Sequence, residues 1–254
     1  MARDPQLAFA FRTWGGKRKG AGRPPKGNTA GVSHLRRSRL SLHHPLHITL
    51  RIAAGVPSLR DGRLFERVRF ALAAGRERFG FRLVHFSVQS NHLHLIAEAL
   101  DSRALALGMQ GLSVRLARAV NRTLARRGRL FSDRYHARAL KTPRAAHFAI
   151  RYVLLNARKH GAAVAPGFID RCSSAAWFGD FSRPDELAFG VAQTRAQWRA
   201  ASGLDAPVVP PETWLLRYGC RRHGGFDIDD EPAAPPHRPV GCPGVAQRPL
   251  GTEP

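Results

Sequence analysis

Two histidines, His92 and His94, stand two residues apart in the run Ser90-Asn91-His92-Leu93-His94-Leu95-Ile96. Alternation of polar and apolar residues predicts a β-strand, whose successive side chains leave opposite faces. His92 and His94 then share one face, while Leu93 and Leu95 enter a core on the other. Two imidazoles a few Å apart on a rigid strand are suited to gripping one divalent cation. A half-buried strand whose histidines simply meet water is the plainer reading, and the motif alone leaves both open.

Further along, Arg151-Tyr152-Val153-Leu154-Leu155-Asn156 falls late in a helical pattern. Tyr152 and Asn156 are four apart, so a helix stacks them on one face. Ala146, Ile150, Val153, Leu154 and Ala157 form an apolar stripe on another. Alone, Tyr152 reads as a core tyrosine. Taken with the strand, the pattern resembles the HUH (histidine, hydrophobic, histidine) single-tyrosine transposases. Within them it is most similar to the REP-associated tyrosine transposases of bacteria, whose motif pair is His-x-His and Tyr-x-x-x-Asn. The resemblance runs from about His43 to Gly161.

That resemblance implies an enzyme that nicks and rejoins DNA, single-stranded or in a hairpin, working as a monomer or homodimer in the bacterial cytoplasm at the nucleoid. It makes Tyr152 the nucleophile and His92, His94 and Asn156 the ligands of Mg²⁺ or Mn²⁺. The product is a 5′-phosphotyrosine link and a free 3′-OH, and rejoining is the same step reversed. A phenol, with a pKa of about 10, is a poor nucleophile at neutral pH. It needs a phosphodiester already polarised, which a Lewis acid provides. Ala157 departs from the family, where proline often follows the asparagine, and leaves the helix free to continue. Tyr135 is the rival nucleophile, ranked second because no metal-ligating residue follows it at helical spacing.

The chain carries 41 Lys+Arg against 18 Asp+Glu, a formal net charge of +23 over 254 residues. Such a chain repels itself unless it meets a polyanion, and arginine forks onto phosphates. Nucleic acid is the obvious partner. No amphipathic segment carries the bulky apolar face of a membrane-surface protein, and no run of about 18 apolar residues appears to span a bilayer. Met1 to Ala10 lack the order of a signal peptide. Cys172, Cys220 and Cys242 suit neither a disulfide framework nor a zinc cluster, so a reduced, cytoplasmic protein is expected.

The elements that must position the site lie between two tails. Residues 1–40 read as a disordered basic arm, and its Gly22-Arg23-Pro24 looks like a degenerate AT-hook. Arg23 and Lys26 are candidate minor-groove contacts, unless the arm is a sequence-blind basic tail. The domain spans residues 41–161 in the order β-α-β-β-α-β-α. His47–Arg51 is a strand with Ile48 and Leu50 inward and His47, Thr49 and Arg51 on the other face. Asp61–Phe79 is a helix closed by Gly80, Phe81–Gln89 pairs with the His92 strand as a hairpin, and Arg103–Arg127 is a second helix closed by Gly128. Tyr135–Lys141 is a fourth strand, and Pro143 opens the Tyr152 helix that Gly161 closes. The fold class is α+β: a ferredoxin-like (RRM-like) four-stranded antiparallel sheet with helices on one face, plus the catalytic tyrosine helix.

On the second helix Arg115, Arg118, Arg122, Arg126 and Arg127 form a stripe with almost no acid to offset it. With Arg51 and Arg151, its first four members are candidate DNA contacts. Residues 162–227 read as a helical extension, with a helix near Pro184–Ala200 and a basic amphipathic element over Thr213–His223. Its aromatics are expected to pack back on the domain; stacking on unpaired bases is the alternative. Residues 228–254, acidic then proline-rich, read as a disordered tail. Two rival functions remain: a non-catalytic DNA- or RNA-binding protein, since this fold serves many roles, and a rolling-circle initiator or relaxase.

Overall fold

The computed structural model describes residues 40–159 and 165–230. The basic arm with Arg23 and Lys26, the helix-closing Gly161, and residues 231–254 with Cys242 lie outside the described residues. Strand β1 (Leu46–Arg51) leads to helix α1 (Gly62–Ala74), a two-residue strand β2 (Glu77–Arg78), and the hairpin of β3 (Phe81–Val88) and β4 (His92–Ala99). Helix α2 (Ser102–Thr123), strand β5 (His136–Ala139) and helix α3 (Pro143–Leu154) follow. The sheet is antiparallel with order β2-β3-β4-β1-β5. Strand β4 lies between β1 and β3, the split βαβ arrangement of an α+β fold.

Side-chain caps set the helix starts. Asp61 accepts from the Leu64 N–H, Asp101 from the Ala104 N–H at 2.7 Å, and Thr142 from the Ala145 N–H at 3.1 Å just before Pro143. Two ends differ from expectation. Helix α1 stops at Ala74 with Gly75 as its C-cap instead of reaching Phe79, and Phe79 and Gly80 both take positive φ (56° and 74°). Two such residues make a tight hairpin turn, so Glu77–Arg78 folds onto β3 as a fifth strand. Phe79, expected as the last residue of that helix, is 66% exposed in the turn. Helix α2 likewise ends at Thr123, where Ala125 turns left-handed (φ 47°) four residues short of Arg127.

Helices α1 and α2 share one face of the sheet, and the tyrosine helix α3 covers the other. Leu46, Ile48, Leu50, Phe86, Leu93 and Leu95 meet α1 and α2 in a first core. Val84 and Ile96, on the opposite face, meet Ala146, Ile150, Val153 and Leu154 of α3 in a second. The C-terminal region completes this second layer through Phe178, Phe181, Leu215, Leu216, Phe226 and Ile228. It comprises a 3₁₀ turn (Ala175–Trp177), helix α5 (Pro184–Ser202), helix α6 (Trp214–Arg217) and a second 3₁₀ turn (Gly219–His223). Between α3 and this region lies α4 (Asn156–Lys159). Trp198 of α5 is buried beside Phe70 at 5.3 Å, with the Arg69 guanidinium 4.7 Å from its ring.

Residues 228–230 are not tail. Ile228 is buried, Asp229 pairs with Arg158 at 2.5 Å and Arg183 at 2.6 Å, and Asp230 pairs with Arg151 at 2.8 Å. Cys172 and Cys220 are buried free thiols, the first pushed up to about 11 chiefly by burial. No helix among the described residues is long and apolar enough to cross a membrane.

The second layer carries a pH-dependent stability. Burial between β3 and the edge of Phe178 lowers the His85 pKa to about 4, and burial also lowers that of His147. The folded state holds His85 neutral while the unfolded chain takes up a proton near pH 6.5. Its stabilisation is complete above about pH 6.5 and is lost as the pH falls towards about 4, on the order of 2–3 kcal/mol. Denaturant unfolding at pH 7 and pH 5 should show this loss in wild type and a flatter dependence in His85→Gln.

Candidate active site

Register brings the histidines together. In the β1–β4 ladder His47 lies opposite Ile96, Thr49 opposite His94 and Arg51 opposite His92, all on the face that α3 covers. His92 Nε2 lies 3.0 Å from His94 Nε2. The outer edge of each ring has its own partner. Asn91 Oδ1, an acceptor only, accepts a hydrogen bond from the His92 Nδ1–H at 2.7 Å. His94 Nδ1 lies 3.2 Å from both Thr49 Oγ1 and His47 Nε2. With Nδ1 as the proton-bearing atom of each ring, the two Nε2 lone pairs point into one space. Such a pair repels unless it shares a cation or a proton, and outer partners of this kind fix metal-ligating imidazoles.

Helix α3 lays Tyr152 over these rings. Its ring centre is 5.0 Å from that of His94 and 5.7 Å from that of His47, edge-on to both. The histidine face is therefore not turned to water: His94 is only 5% exposed, and His92 is the half-exposed member. Asn156 is fully buried, but it does not continue α3. The helix ends at Leu154, and the Asn156 side-chain amide donates to the Tyr152 carbonyl at 3.3 Å, an acceptor that a continuing helix would offer to a backbone N–H. The chain breaks here although Ala157, not a proline, follows. Among the described residues Asn156 Oδ1 has no hydrogen-bond partner, an orphaned buried oxygen suited to a hard cation. No three His, Cys, Asp or Glu among the described residues form a metal site. His47 meets the far edge of the His94 ring, so the three imidazoles do not converge.

The candidate DNA contacts separate. Arg51 is exposed on the histidine face. Arg115, Arg118, Arg122 and Arg126 sit on and just beyond α2, across the sheet from Tyr152. Arg118 and Arg122 are exposed, with Arg127, around a shallow hollow. Arg115 binds the Gly111 carbonyl at 3.2 Å, and Arg126 holds Asn121 Oδ1 at 2.9 Å, so both serve their own helix. Arg151 is tied to Asp230. Four residues that the sequence reading left out of the site belong to this face: His47, Thr49, and, paired with them from β5, Arg138 and His136. The signal was present in the alternation of β1, which put His47 and Thr49 opposite Ile48 and Leu50.

No protein-family model matches the chain, and no curated protein matches it. Among solved structures, one of a REP-associated tyrosine transposase bound to a REP hairpin is similar over 51% of this chain and 75% of its own, at 14% identity and a TM-score of 0.42.

Proposed function

We propose that the chain is a metal-dependent transposase that nicks and rejoins single-stranded DNA through Tyr152. The observation that supports this best is the Tyr152 ring set edge-on against His94, whose Nε2 lies 3.0 Å from that of His92. A divalent cation, Mg²⁺ or Mn²⁺, held by His92, His94 and Asn156 Oδ1 would supply Lewis-acid stabilisation of the charge that builds on the phosphodiester. Thr49 and His47 hold the His94 ring, and Asn91 holds that of His92. Tyr152 Oη bonds to phosphorus as the bond to the 3′ oxygen breaks, and the phenolic proton ends on the released 3′-OH. Water attack is not needed, since reversal with another 3′-OH rejoins the strand. Arg51, Arg138 and His136 border the same face and suit phosphate.

The test is incubation of the full chain with labelled single-stranded DNA and Mn²⁺. An SDS-resistant protein–DNA adduct that EDTA prevents is expected. Its absence on every single strand and hairpin tried would leave a nucleic-acid-binding protein without this chemistry.

A further inference from the structure

Helix α6 and the 3₁₀ turn after it carry features that the Tyr152 site does not use. Trp214 and Tyr218 are 47% and 51% exposed, although burial is the rule for rings of this size. They are four apart in one helical turn, closed by the Tyr218 N–H donating to the Trp214 carbonyl at 2.9 Å, so their rings lie on one side. Each has an arginine beside it. The Arg222 guanidinium is 4.9 Å from the Trp214 ring centre, and that of Arg217 is 5.3 Å from Tyr218. Arg217, Arg222 and His223 are exposed, and residues 213–224 contain no acid.

The rings are held in place. A Cβ on Gly219 would come within 2.7 Å of the Trp214 ring, so glycine lets the indole lie against the backbone. Glu98 of β4 accepts the N–H groups of Glu212 and Thr213 at 3.0 and 2.7 Å, pinning the start of α6 to the sheet. Leu215 and Leu216 enter the second core, and His147 of α3 donates to the Cys220 carbonyl at 2.9 Å. Exposed aromatics that are rigid and paired with arginines have the makings of a base-stacking surface, the nearest acids being Glu212 and Asp180, the latter already held by Arg221. Every base has a π-face, and guanidinium groups serve both its stacking and its phosphate.

We propose that α6 and the following turn form a second DNA surface, on which unpaired bases stack against Trp214 and Tyr218 while Arg217 and Arg222 neutralise the backbone. A protein ligand fits less well, since the exposed cations Arg217, Arg222 and His223 match a polyanion. The choice of DNA over RNA rests on the proposed function; the surface itself does not.

The test uses the full chain in EDTA, which keeps cleavage out of the measurement, and a fluorescein-labelled oligo-dT single strand followed by anisotropy. Trp214→Ala and Tyr218→Ala should each weaken binding about five- to thirty-fold, with little change on duplex of equal length. Phe189→Ala, at an exposed ring (80%) on α5, should change nothing. Arg217→Gln with Arg222→Gln should lower the salt slope by about 1.4. Unchanged affinity in both aromatic variants, or equal losses on single strand and duplex, would overturn the proposal. Should Trp214→Ala fail to fold, photocrosslinking of wild type to an iododeoxyuridine strand decides: adducts at residues 214–222 support the surface, and adducts only elsewhere reject it. Failure here leaves the Tyr152 adduct standing, and a missing adduct leaves this binding result standing, so the two readings fall separately.

Discussion

Tyr152→Phe should fold, bind single-stranded DNA as tightly as wild type, and form no covalent adduct. The change removes one oxygen and keeps the ring that packs edge-on to His94 and His47. Loss of a nucleophile lowers strand cleavage by more than about a thousandfold, to the background of the assay. Tyr135→Phe is the matched control. Tyr135 packs with the α1–α2 core, across the sheet from the histidines, so its variant should keep both adduct and cleavage. An adduct that persists in Tyr152→Phe and vanishes in Tyr135→Phe would exchange their roles.

His92→Ala and His94→Ala should both abolish cleavage, but only one should do so without harm to the fold. His92 is half-exposed, and its removal should leave stability within about 1 kcal/mol of wild type. His94 is buried between His47, Thr49 and Tyr152, so alanine there leaves polar atoms unpaired and costs about 1–3 kcal/mol. Mn²⁺ titration of the DNA-free protein separates metal binding from chemistry. His92→Ala should lose it, and His47→Gln, which disturbs only the outer edge of the His94 ring, should weaken it about 10- to 100-fold. Asn156→Ala should be partly rescued by higher Mn²⁺. Full cleavage in EDTA would remove the metal from the proposal.

The sheet was legible because its signals are local. Alternation in β1, β3 and β4, the Asp61 start of α1 and Pro143 at the start of α3 each act within a few residues. Phe79 misled because a residue at helical spacing says nothing about its own φ, and the turn at Phe79-Gly80 overrides the pattern. His47 escaped the site because its place beside His94 depends on which strands pair, a contact across 47 positions of sequence. The α2 stripe illustrates the converse. Arg115, Arg118 and Arg122 share a helix face as read, yet the sheet stands between that face and Tyr152. One-dimensional periodicity reports a face of an element, never the neighbour it turns towards.

The two cores also differ in when the ribosome supplies them. The first draws chiefly on residues 46–137, available before α3 is made. The second joins Ile150, Val153 and Leu154 to Phe226 and Ile228, and α3 and α4 are clasped by Asp229 and Asp230. At about 5–20 residues per second, the roughly 90 residues between β5 and Asp230 take about 5–20 s to synthesise. During that interval a nascent chain holds its histidine strand in a finished sheet while the tyrosine helix lacks its outer cover. Vectorial synthesis thus sets the histidine strand well before the helix that carries Tyr152 gains the cover of Phe226 and Ile228.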